Sequence, residues 1–216
     1  MVSRNQKLLV GAVVALAQAI QVIEAHFMNT MPLWKNTALL TTLAVVAALG
    51  AVVRIFVKIP IIPEVVELTP GFAFSLLGGV IGGVSGGALV GAIVGLAGAL
   101  AGGEVPLLPM IGNICLGLGS GIAIHLAPRD TLRYTLSVVL GGGIIGGFLP
   151  TLLIFSSVIQ PLAVNLVAAA IDMWQAMVWA VLALIIDQTI IRPIAGRHLY
   201  DVVQSSELSH EEVSSQ

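Results

Sequence analysis

The sequence predicts an all-α, polytopic integral membrane protein: a six-helix transmembrane bundle with an extra N-terminal helix, amphipathic or inserted, ahead of it. Three observations predict this. Of 216 residues, 57% are hydrophobic and 9% charged, against roughly 25% charged in an ordinary soluble domain, and the mean hydropathy is +1.04. Positions 68–103, 105–128 and 134–171 contain no Asp, Glu, Lys or Arg, and each is long enough for a span of ~20 residues. The apolar runs are continuous rather than alternating, so their backbone groups must be satisfied within helices and not within a barrel. The 24 glycines and 5% aromatic content fit closely packed membrane helices better than a soluble core.

The first thirty residues form a unit of their own. Arg4 and Lys7 precede an apolar run over 7–23, as in a signal peptide. Gln18, Gln21 and Glu24 then recur on one face with no small-residue cleavage pattern after them, so a retained helix is expected. The membrane domain follows over 31–198, with spans near 37–57, 70–84, 86–102, 107–127, 133–155 and 162–190. An unbroken helix from Pro70 to Gly102 would be ~50 Å long against a hydrocarbon core of ~30 Å. A break is therefore predicted at the GGVSGG stretch, 82–87. Residues 199–216 are acidic and polar, as expected of a disordered tail.

Six spans place Lys35, Arg129, Arg133, Arg192 and Arg197 on one side. By the positive-inside rule that side is the cytoplasm, which puts the C-terminus there in a plasma-membrane protein. The opposite side receives Arg54, Lys58, Glu64, Glu67, Glu104 and Gln160. The two basic residues run against the bias and sit beside two glutamates, where a ligand accounts for them.

Ionisable groups at membrane depth are the most informative residues, since inserting one costs ~2.5–3.5 kcal/mol. Asp172 is the foremost. Asn165, Asp172 and Trp179 follow at seven-residue spacing with Gln175 three positions from Asp172, a polar and aromatic face in an apolar segment. That face either receives a polar ring or joins neighbouring helices through hydrogen bonds. Asn113 either faces the same cavity or bridges helices. Asp187 is expected to pair with Arg192 as a structural ion pair, and His125 to be a satisfied or snorkelling histidine. Gly79, Gly83, Gly87, Gly91 and Gly95, and later Gly142, Gly143, Gly146 and Gly147, set small residues along helix faces for close packing. Ala44, Ala47, Ala48 and Ala51 form overlapping A-xxx-A pairs.

Enzyme signatures fail. There is no HExxH, no GxGxxG before a helix, no Walker loop and no second thiolate or histidine spaced to hold a metal. Ser120 in GLGSG has no histidine in a later span to serve as base. The lone Cys115 reads as a small buried hydrophobe. Neither enzyme activity, cofactor nor metal is expected, and nothing points to nucleic acid as a partner.

One stretch resembles a known family. Over 43–126, AVVAALGAVVRIF runs into KIPIIPEVVELTPG and then into FAFSLLGGVIGGVSGGALVGAIVGL. This is similar to the substrate-binding S component of energy-coupling factor (ECF) vitamin transporters, whose glycine-rich run Leu77, Gly78, Gly82, Gly83, Gly86, Gly87 and Ala88 match. The extra N-terminal helix, and GG and SGG where the family commonly has GP, depart from its pattern. The resemblance implies a high-affinity binding subunit for a vitamin or related water-soluble micronutrient. It implies docking through Ala44, Ala47, Ala48 and Ala51 on a transmembrane coupling subunit driven by two cytoplasmic ATPases. It also implies a ligand site near the outer face, which nominates Arg54, Lys58, Glu64, Glu67, Asn113, Asn165, Asp172, Gln175 and Trp179. Acidic groups outnumber basic ones among the outer candidates, so the expected ligand is a cationic or neutral nitrogen heterocycle pairing with Asp172 and stacking on Trp174 or Trp179. The alternatives are a membrane scaffold with no small-molecule ligand and a stand-alone carrier.

Overall fold

The computed structural model describes residues 36–57, 59–62, 66–102, 107–155 and 162–200. The expected N-terminal helix, Lys58, Glu64, Glu104, Gln160 and the segment 201–216 lie outside the described residues, as does the side chain of Glu67. Helix α1 (Thr37–Phe56) starts where the Asn36 carboxamide accepts from the Leu39 N–H at 3.0 Å, satisfying an orphan donor of the first turn. The same side chain donates to the His198 carbonyl, which ties the start of α1 to the end of the chain's last helix. Strands β1 (Ile59–Ile62) and β2 (Val66–Leu68) pair antiparallel. Helix α2 (Phe72–Gly102) follows, then α3 (Leu107–Gly121) and the short α4 (Ala123–Leu126). Helix α5 (Leu132–Gly141) continues through π-helical turns at Gly142–Phe148 and Thr151–Phe155. Helix α6 (Leu162–Ile186) continues through a π-helical turn at Asp187–Ile191 to Tyr200. The π turns flank Pro150 and precede Pro193, where the missing N–H and the ring's crowding of the carbonyl four residues back force the ladder wider.

Five of these helical stretches are long and apolar enough to cross a membrane, where six were expected. The difference lies in α2. It is not one rod: Gly83 has φ 65 and ψ −155, a backbone that only glycine adopts without strain. The chain folds back there, because a Cβ on Gly78 would fall 2.6 Å from that of Val90, twelve positions on. The break predicted at 82–87 is thus real, but the arm before it, 72–82, is only ~16 Å long and does not reach across the ~30 Å core on its own.

A break inside an apolar bundle needs its freed carbonyls capped. Here side chains from elsewhere do so. Arg129 Nη2 donates to the Ile81 carbonyl at 3.1 Å and the Tyr134 hydroxyl to that of Val80 at 3.4 Å; one turn earlier, the Ser120 hydroxyl adds a bond to the Leu76 carbonyl at 2.9 Å and ties α3 to the arm. Helix α2 is also the most enclosed span, with 56% of its most apolar window buried against 28% for α1 and α6. Its second arm lies on α3 with the backbones touching: a Cβ on Gly87 or Gly117 would strike the other residue's carbonyl. Leu43, Leu76, Val80, Val90, Val94 and Leu116 fill the centre, while Val45, Leu49, Val52, Val167 and Val178 are exposed around the outside, as for helices facing lipid.

Candidate functional site

The two ends of the bundle differ. At the strand end, where α1 runs into β1, a cavity of about 360 Å³ opens among the helices. One wall is Arg54 and Phe72, the next Leu108, Pro109, Gly112, Asn113 and Leu116 of α3, and the third Gly146, Gly147, Thr151 and Ile154. Asp172 of α6 closes it.

Glycine makes both the contacts and the room. A Cβ on Gly146 would meet the Leu116 Cα at 2.6 Å, and one on Gly147 the Asp172 carbonyl oxygen at 2.6 Å. At Gly146 and Gly147 the chain is thereby clamped between α3 and α6 with no side chain of its own at those positions. Arg54 is shaped in the same way, since a Cβ on Gly71 or Gly98 would run into its side chain. Its guanidinium lies 5.5 Å from the Phe72 ring centroid, within cation–π range. Asp172 accepts a hydrogen bond from the Thr151 hydroxyl at 2.6 Å, which orients the carboxylate toward the neighbouring helix.

Of the residues nominated from the sequence, Arg54, Asn113 and Asp172 share this cavity. Asn113 is 1% exposed; its Oδ1 accepts from Ser75 at 2.8 Å and its Nδ2 donates to the Pro109 carbonyl at 2.9 Å. It therefore both lines the cavity and joins α2 to α3. Asn165, Gln175 and Trp179 are not in the lining. Asn165 is buried, and Trp179 packs against the central core with its Nε1 lacking an acceptor among the described residues. Trp174 is 66% exposed on the outside of α6, so neither tryptophan offers a stacking face to the cavity. Thr151 and Gly112 were not singled out in the sequence, and Gly146 and Gly147 were read there only as helix-packing positions. The signal for Thr151 was available: it is a hydroxyl beside a proline in a charge-free run.

The alanine set divides. Ala44 and Ala48 are exposed and Ala51 half-buried, but Ala47 is 2% exposed and belongs to the core. Ser120, fully buried, spends its hydroxyl on the carbonyls of Leu76, Leu116 and Gly117.

At the opposite, arginine end lies a packed ionic cluster. Asp187, fully buried, accepts from Arg192 Nε at 2.8 Å and from the Tyr200 hydroxyl at 2.6 Å. Arg192 also pairs with Asp130. The Arg129 guanidinium stacks 3.9 Å from the Tyr200 ring centroid while capping α2. The Asp187–Arg192 pair expected from the sequence is present and forms the centre of this cluster.

No family model, curated protein or solved structure matches the chain.

Proposed function

We propose that the protein is the substrate-binding subunit of an importer: it captures a small water-soluble molecule, of the vitamin or micronutrient kind, in the cavity at the strand end. The observation that carries this reading is the Asp172–Thr151 pair facing open space in an otherwise apolar bundle. A carboxylate at such depth is costly to maintain, and a cavity of this size falls at the small end of ligand pockets, ~300–1,000 Å³. In this reading the strand end faces outward and the arginine end the cytoplasm of a plasma-membrane protein, in keeping with the basic residues there. The two arms of α2 then count as separate segments of a six-segment S-component-like bundle. The chain has no nucleotide-binding loop in its sequence, so energy would come from partners, a transmembrane coupling subunit and two ATPases. The exposed Ala44 and Ala48 offer a smooth surface for the coupling subunit.

Native mass spectrometry of the protein extracted in mild detergent tests the reading. The expected result is a co-purifying small molecule at one per chain, lost on Asp172→Asn and retained on Trp174→Phe. A protein that carries no small molecule from any growth medium, with identical spectra for the wild type and Asp172→Asn, would instead favour a scaffold without a ligand.

A further inference from the structure

We infer that Thr151 and Asp172 act together as a paired acceptor, which selects a ligand through a nitrogen group carrying two donor hydrogens: an amidine, an amino-substituted heterocycle or a primary amine. The inference rests on the capture reading above and specifies its substrate class. Both residues line the cavity, and they reach it from different helices. Thr151 opens the π-helical turn that follows Pro150. Its hydroxyl donates to Asp172 Oδ2 at 2.6 Å. Four positions earlier in the same stretch, Gly147 lies against the Asp172 backbone, where a Cβ would fall 2.6 Å from the carbonyl oxygen. One helical stretch therefore holds Asp172 at two points, main chain and carboxylate, and the carboxylate has a fixed aim.

The selectivity follows from hydrogen-bond valence. A hydroxyl has one hydrogen to give and two lone pairs to receive with, while a carboxylate can only receive. Thr151 gives its hydrogen to Oδ2, so toward the cavity it can only accept. Asp172 Oδ1 has no donor among the described residues, and the side chain is half-buried rather than enclosed, which leaves that oxygen to the cavity. Two acceptors thus lie within one hydrogen-bonded unit, and neither residue sets a donor beside them. Asn113 does not compete, since its Oδ1 already accepts from Ser75 at 2.8 Å. A nitrogen bearing two hydrogens, or two neighbouring N–H groups on one planar body, satisfies both acceptors at once. A ligand oxygen in the same place would face oxygen, and an apolar group would leave the carboxylate's lost hydration uncompensated. Around this spot Leu108, Pro109, Leu116 and Ile154 supply apolar surface, which suits a ring or hydrocarbon as the rest of the ligand.

The test uses the full-length protein in mild detergent and two matched pairs of probes. Benzamidine is set against phenyltrimethylammonium, a cation with no N–H. Aminopyridine, with its amino group beside the ring nitrogen, is set against the corresponding methylpyridine at mildly alkaline pH, where both are largely uncharged. Binding is read by calorimetry and thermal shift. In each pair the donor-bearing member should bind at least about tenfold more tightly. Thr151→Ser keeps the hydroxyl and should keep that preference, whereas Thr151→Val should lose it. Asp172→Asn still offers Thr151 an oxygen but turns an amide NH2 toward the cavity, and should lose it as well. Equal binding within both pairs overturns the inference, and so does a preference that survives Thr151→Val or Asp172→Asn in a protein that melts normally. The wild-type pairs decide the matter even where a variant fails to fold. A co-purified molecule found by mass and fragmentation to carry no N–H overturns the paired-acceptor assignment and leaves capture standing. If no probe binds and the purified protein is empty, both fall.

Discussion

The two ends of the bundle use the same chemistry to opposite effect. At the arginine end, Asp187 is enclosed by Arg192 and Tyr200, with Arg129 and Asp130 completing a filled cluster. At the strand end, Asp172 accepts from the Thr151 hydroxyl among the described residues and lines the cavity. A buried acid that is fully paired holds helices together. One that is held in place but borders a cavity is placed to meet something else. The difference is between charge used for assembly and charge kept for recognition, and it can be tested residue by residue.

The largest effect is expected at the filled end. Asp187→Ala leaves Arg192 and Tyr200 without their shared acceptor and should cost about 3–5 kcal/mol of stability, read from unfolding in mixed detergent micelles. A loss below about 1 kcal/mol would mean the cluster is decorative. Next comes Gly117→Leu, which puts a side chain into the Gly87 backbone and should cost about 1–3 kcal/mol or more. Asp172→Asn should change stability by less than about 1 kcal/mol, since an amide oxygen still accepts from Thr151, while abolishing small-molecule binding. If it instead destabilised as much as Asp187→Ala, the two ends would be alike and the contrast would fail. The smallest effect is expected for Trp174→Phe on the outside of α6, within about 0.5 kcal/mol and with unchanged ligand affinity.

Much of this was legible in the sequence, and the exceptions have a geometric cause. The break in α2 was visible because a helix of that length does not fit a bilayer, and Asp172 because a lone acid in an apolar span needs a reason. Asn165 and Trp179 show where one-dimensional reading stops. Seven residues return a helix to nearly the same face but ~10 Å further along its axis, so both share the direction of Asp172 and miss the height of the cavity. Ala47 shows the complementary error: within one alanine-rich stretch, rotation by ~60° separates a core position from the exposed Ala44. Thr151 escaped notice, and Gly146 and Gly147 read only as packing positions, because their part in the cavity is defined across helices, by what Asp172 and Leu116 need opposite them. Nothing within their own segment marks that need.

The fold-back at Gly83 also sets how many walls the molecule has at each depth. A section through the strand-end half cuts α2 twice, once on each arm, and the cavity there is lined from α1, α2, α3, the helical stretch 142–155 and α6. Beyond Gly83, toward Thr37, neither arm is present, and α1 continues for six residues past Leu43, the side chain that meets the hairpin tip, a further ~9 Å. Side chains meet the tip there instead: Arg129 and the Tyr134 hydroxyl donate to its carbonyls, and the Arg129 guanidinium stacks on Tyr200. The Arg129 bond to Ile81 thus couples the ionic cluster of the arginine end to the hairpin above it.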